Sequence, residues 1–275
     1  LVHVGRLLIE DDRPAEALGF LETARHYLRV DENADGLVEA LAYLGHAQML
    51  TENYSAAAQA YTEALWLLER FFAPAARQER TALRIRQMHL ALRAGAAFVH
   101  LQQFEEAIEW LEKSVSLATE EGLYEHVGRG HQVIACVHHE CGRYDDAERH
   151  NKMALGCFDR PEHALDRAIC LFNIGAAYLA RKDVAASVSF YTQALTEKIS
   201  EPELLLSIYT GLALAHYVNR EYEKAAEWNK KATAAVFEHS GLFRSQVYVR
   251  RVLDTFLLLA RIYQAQDKPT DALCA

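Results

Sequence analysis

A small residue recurs along the chain in register with three later columns, and this register constrains the fold more than any other feature. The first column is Gly5, Gly45, Gly95, Ala135, Gly175, Ala213 and Ala260. Nine residues after each stand Pro14, Tyr54, Phe104, Tyr144, Val184, Tyr222 and Pro269. Twelve residues after each stand Ala17, Ala57, Ala107, Ala147, Ser187, Ala225 and Ala272. Seven further on, the first six units give Ala24, Ala64, Ser114, Ala154, Ala194 and Ala232. Self-similarity of this kind marks a repeat architecture, in which each unit buries its apolar face by stacking on its neighbours.

The spacing has a physical reading. Short polar segments, such as Glu10-Asp11-Asp12-Arg13, Thr51-Glu52-Asn53 and Arg181-Lys182-Asp183, separate two apolar-periodic stretches in each unit. Each unit is therefore a helix–turn–helix hairpin. Positions seven apart fall two turns apart on one side of the second helix. Small residues there and in the first helix let the two backbones approach closely, and the aromatic after the turn is expected to wedge between them. Pro14 and Pro269 suit the first turn of a helix. With only 13 Gly and 5 Pro in 275 residues, little chain is left for irregular structure.

The units carry a resemblance. Tyr43-Leu44-Gly45, then Tyr54, Ala57, Tyr61 and Ala64, is similar to the tetratricopeptide repeat, as is Asn173-Ile174-Gly175 with Tyr178, Tyr191 and Ala194. The resemblance implies an all-α fold, a right-handed superhelical solenoid of about seven hairpins forming one domain over 1–275. The repeats are expected near 1–34, 38–72, 76–120, 126–158, 164–198, 202–238 and 245–275. Two departures stand out. The family's early Trp and closing Pro are missing in most units, and the units are spaced 40, 50, 40, 40, 38 and 47 apart rather than about 34. Extended units of this kind resemble those of Gram-positive peptide-pheromone receptors, and of kinesin-light-chain and Pins-type adaptors. In the first long interval Pro74 is expected to end a helix and a lengthened one to begin near Ala76. In the second, Gly241 reads as a helix cap or loop residue. Insertion and change of pitch both remain open for these intervals.

Charge and cysteine content narrow the partners. Lys and Arg total 29 against 38 Asp and Glu, a net charge of −9, which argues against phosphate-dominated nucleic-acid binding. The local exception, Arg77, Arg80, Arg84, Arg86 and Arg93, reads as the solvated face of a long helix. Five cysteines, Cys136, Cys141, Cys157, Cys170 and Cys274, form no Cys-x-x-Cys pair, which fits buried thiols in a reducing, cytoplasmic setting. No apolar run approaches a bilayer span of about 20 residues. Leu1 is not an initiator Met, as expected of a chain starting inside a longer one, and no signal peptide follows it.

The resemblance also implies a concave groove lined by the first helix of each unit. The groove positions it assigns are Tyr43, His46, His89, Arg93, His100, Gln132, His139, Asn173, Tyr217 and Arg261. Cys136, Glu140, Phe172 and Leu257 fall on equivalent positions. Asn173 stands out, because an amide offers both donor and acceptor to an extended peptide. It could equally bond within the solenoid or face water. A chaperone-tail carboxylate clamp is not expected, since Arg93 and Arg261 lie two or more units from Asn173 and no matching Lys occurs. His126, His131, His138, His139 and His150 crowd one stretch, yet only His138 with Cys141 has near-ligand spacing, so no metal and no cofactor are expected. No G-x-S-x-G, phosphate loop or H-E-x-x-H occurs. Tyr61, Trp66, Trp110, Tyr178, Tyr191 and Trp228 are expected in the core.

The expected function is thus a non-catalytic scaffold that binds a peptide or protein segment, as sensor or interaction domain of a bacterial cytosolic regulator. It is expected to contact neither nucleic acid nor membrane, and a homodimer stays open. The alternatives are the regulatory part of a phosphatase-type pheromone receptor, with its catalytic or DNA-binding part upstream, and a structural adaptor.

Overall fold

The computed structural model describes residues 1–72, 77–238 and 246–266. Pro74, Gly241, Pro269, Ala272 and Cys274, to which expectations were attached above, lie outside the described residues. The described chain is all-α, an array of helical hairpins of the tetratricopeptide type, and falls into two compact units, residues 1–141 and 142–275.

In the first unit the helices are α1 (Val2–Glu10), α2 (Pro14–Val30), α3 (Ala34–Leu50), α4 (Tyr54–Phe71), α5 (Arg77–His100), α6 (Phe104–Glu120) and α7 (Tyr124–Glu140). The glycine column closes the hairpins. A Cβ on Gly5 would lie 2.5 Å from Leu21 Cγ, one on Gly45 2.7 Å from Tyr61 Cε1, and one on Gly95 2.7 Å from Leu111 Cγ. Leu21, Tyr61 and Leu111 are buried, and each stands sixteen residues after its glycine. Burying a side chain of this size contributes roughly 1.5–3 kcal/mol. This corrects the expectation that the aromatic after the turn wedges into the pair. Tyr54 instead stacks on His100 of the next hairpin, with ring centroids 4.3 Å apart.

The columns of Ala and Ser on the second helices are buried, and Ser114 keeps its hydroxyl satisfied by donating to the Met88 carbonyl at 2.9 Å. The turns are built alike. Asp12, Glu32, Glu52 and Gln102 hold φ between +53° and +60° without being glycine. Asn33 and Asn53 cap the following helices by accepting from the amides of Gly36 and Ala56. The first long interval is taken up partly by α5, which has 24 residues where α3 and α7 have 17.

In the second unit the helices are α8 (Tyr144–Leu155), α9 (Ala164–Ala180), α10 (Val184–Thr196), α11 (Pro202–Val218), α12 (Tyr222–Glu238) and α13 (Gln246–Ala265), with a 3₁₀ turn at Pro161–His163. Tyr191 of α10 lies between two glycines: Cβ atoms on Gly175 and Gly211 would both approach its ring to 2.8 Å. Burial pushes its phenol up to about 12. The matching position on α12 is Asn229, fully buried, whose amide donates to the Thr255 carbonyl of α13 at 3.0 Å.

Two expectations about the core fail. Trp66 is 56% exposed and meets Phe71 edge-on on the outer side of α4. The cysteines are not uniformly buried: Cys170 is, Cys136 is exposed, and Cys141 and Cys157 are intermediate. A helical period places an apolar residue on a face, but only packing decides whether another helix covers that face.

Candidate functional site

The first unit holds a cleft of about 250 Å³ between α3 and α5. Tyr43 stands on one wall and Arg86, His89 and Arg93 on the other, with Glu39 also lining it. The helical period explains the grouping. His89 and Arg93 are one turn apart on α5, and Glu39 and Tyr43 are one turn apart on α3. The opposite sides of these helices carry the buried Leu41, Leu44, Ala91 and Ala94.

Electrostatics in and beside this cleft are unusual for an acidic chain. Partial burial holds the His46 imidazole below its ordinary value, and the Arg93 guanidinium acts in the same direction. His89 is lowered too, by partial burial, by His126 and by Arg93. The His89 and His126 rings lie 5.3 Å apart. Below them the buried Tyr61 phenol is pushed up to about 12 by burial, against the pull of Arg93. Arg93 is exposed, and among the described residues no acid pairs with it.

Two other arginines of α5 are committed elsewhere. Arg84 binds Glu120 and Glu121 at 2.8 and 3.1 Å, and Arg86 binds Asp35 at 2.6 Å. Within the basic stretch, Arg84 and Arg86 thus tie α5 to neighbouring segments.

Of the sequence-predicted positions, the first unit groups Tyr43, His46, His89 and Arg93. His100 lies two turns beyond Arg93 on α5, engaged by Tyr54. Gln132 and His139 are half-buried on α7. In the second unit Asn173 is half-buried on α9 and makes no side-chain hydrogen bond among the described residues. Tyr217 on α11 packs beside Tyr222, ring centroids 5.8 Å apart, and Arg261 is exposed on α13. Sequence reasoning missed Glu39 as part of the cleft and did not single out Tyr61 beneath it or His126 beside His89. Glu39 stands six residues before Gly45, as His89 does before Gly95, and the same count could have found it; the register between helices places Tyr61 and His126. Among the described residues no three His, Cys, Asp or Glu side chains are arranged to hold a metal ion. No described helix is long and apolar enough to cross a membrane.

Comparisons with known proteins agree with this architecture. The tetratricopeptide repeat family model matches residues 84–160. Those residues are tetratricopeptide repeats, and the rest of the described chain carries the same fold. No curated protein sequence matches the chain. Among solved structures, aspartyl phosphate phosphatase F from Bacillus subtilis is similar with a TM-score of 0.69 at 15% identity, over 99% of this chain and 81% of that one. BtubC from P. vanneervenii is similar with a TM-score of 0.62 at 21% identity, over 84% and 92%. A signal transduction ATPase with numerous domains from Pyrococcus horikoshii, described as having a tetratricopeptide repeat sensor, reaches 0.69 at 15% identity, over 90% and 38%.

Proposed function

We propose that the chain is a non-catalytic binding scaffold that takes a peptide or protein segment on the first helices of its hairpins, as the sensor or interaction part of a bacterial cytosolic regulator. The observation that carries this reading is the cleft between α3 and α5, lined by Tyr43, His89 and Arg93. Aromatic and hydrogen-bonding groups on a rigid helical frame suit an extended segment. The free amide of Asn173 supports the same reading in the second unit, where it can pair with a peptide backbone group. The assigned contacts are Tyr43, His46, His89, Arg93, His100, Gln132, His139, Asn173, Tyr217 and Arg261.

A second reading is favoured by one comparison. Aspartyl phosphate phosphatase F overlays on nearly the whole of this chain while about a fifth of that protein stays unmatched. In this reading the chain is the regulatory part of a phosphatase-type receptor.

Calorimetric titration with fractionated short peptides from a bacterial extract, sequenced by mass spectrometry, tests the proposal. A saturable peptide should bind and be weakened by Asn173→Ala or Tyr43→Ala. If no peptide binds, and neither substitution changes what the protein captures, the groove reading fails.

A further inference from the structure

Four basic side chains from three helices lie in and beside the first-unit cleft, His89 and Arg93 among its lining. They are His46 on α3, His89 and Arg93 on α5, and His126 on α7. The chain as a whole carries a net charge of −9, so the cluster runs against its surroundings. Nearby acids do not neutralise it. Asp35 takes Arg86, Glu120 and Glu121 take Arg84, Glu125 takes Arg129, and Glu63 takes Arg29. Among the described residues none of the four basic groups has an acidic partner. Glu39, which also lines the cleft, stands seven residues before His46, about 10 Å away along the helix. From α4 the buried Tyr61 approaches Arg93.

We propose that this cluster binds the side-chain oxyanion of an acidic peptide, carboxylate or phosphoryl, held by Arg93 and completed by His46, His89 and His126, with protons taken up as it binds. The proposal rests on the groove reading above and narrows its ligand. Arg93 supplies a permanent charge and a planar fork that matches either oxyanion. The imidazoles supply the rest. Partial burial first, and the Arg93 guanidinium after it, hold the His46 and His89 imidazoles below their ordinary value. An oxyanion among them reverses the sign of the local field, so protonated imidazoles become its donors. Glu39 shares the cleft with His89 and Arg93 and repels the same group.

The test is calorimetry on the full chain between pH 6 and 8, in buffers of different ionisation enthalpy, with imidazole proton resonances followed in parallel. The probes are tetraglutamate, tetraglutamine, a phosphoserine tetrapeptide and inorganic phosphate. Tetraglutamate or the phosphoserine peptide should bind and tetraglutamine should not, with affinity rising as pH falls by up to about tenfold per unit for each proton taken up. Whichever acidic peptide binds identifies carboxylate or phosphoryl as the natural group. Arg93→Gln should weaken binding by about tenfold or more, and Arg93→Lys by less. His89→Gln should reduce proton uptake while leaving the thermal transition in place. Glu39→Gln should strengthen binding. Equal binding of tetraglutamate and tetraglutamine without proton uptake overturns the oxyanion site and leaves the groove reading standing. Arg93-dependent binding of inorganic phosphate, with no peptide bound, supports the site and removes the groove reading. If no acidic probe moves the His46, His89 or His126 resonances, the site does not exist.

Discussion

The smallest residues of this chain occupy its most demanding positions. Gly45 faces the buried ring of Tyr61, whereas a Cβ on Gly19 would meet nothing within 4 Å. The same substitution should therefore act in opposite directions. Gly45→Ala forces the ring or the helix to move and should cost about 1–3 kcal/mol, while Gly19→Ala should add about 0.5–1 kcal/mol in urea unfolding. The turns offer a second contrast. Glu52 holds φ +60°, a conformation that charges a non-glycine residue about 1–2 kcal/mol, so Glu52→Gly should raise stability modestly despite the entropy glycine loses. Histidine protonation gives a third. His46 and His89 bind protons less readily in the folded chain than at the ordinary value near 6.5. Their contribution is intact above that pH and is lost as pH falls towards the lower folded values. A His46→Gln, His89→Gln double variant should lose part of the stability decline that the unaltered protein shows below pH 6.5.

Between elements, the tie of α8 to α9 is polar. Tyr178 donates to Glu148 at 2.7 Å, Arg181 pairs with both Glu148 and Asp145, and its guanidinium lies 4.5 Å over the Tyr178 ring. Burial alone would raise the Glu148 carboxyl, but hydrogen bonds from Lys152, Tyr178 and Arg181 outweigh it and hold the group at about 2. Its folded value lies below the ordinary one near 4.5, so its contribution is complete above that pH and disappears as pH falls towards 2. Glu148→Gln should lower the melting temperature at pH 7, and the gap from the unaltered protein should narrow between pH 4.5 and 2. Nothing in the sequence distinguished Glu148 from other surface carboxylates. The helices and their turns were legible because each is written locally, in a period and a polar break. What lies across a helix from a given side chain is not local. Trp66 and Leu111 share an apolar helical pattern, yet Trp66 faces outward and Leu111 lies beneath Gly95. The cleft was half legible for the same reason. Tyr43, His46, His89, Arg93 and, at the offset of His89, Glu39 follow from the column by counting, whereas Tyr61 beneath and His126 beside His89 are placed only by the register between helices.

At the scale of the whole chain, stability should be distributed along the array. Stacked repeats share interfaces with their neighbours, so a lesion is felt near its site and fades with distance. Gly175→Ala, which crowds Tyr191, should accelerate amide exchange in α9, α10 and α11 while leaving α2 and α3 close to their original protection. Uniform loss of protection would mean that the chain unfolds as one body. The glycine pockets carry a further consequence for how such a chain can be altered by recombination. Gly5 is matched to a leucine, Gly45 to a tyrosine, Gly95 to a leucine and Gly175 to a tyrosine, and in each case the two members belong to the two helices of one hairpin. A crossover inside the polar turn would separate a lock from its key, leaving a ring with no room or a hollow with no occupant. A crossover between hairpins keeps these four pairs together, but after α2 or α10 it parts Gly36 from Leu28 or Gly211 from Tyr191. Duplication, deletion or exchange of modules should therefore succeed better at the break after α4 than at those after α2 and α10, and should fail inside the turns.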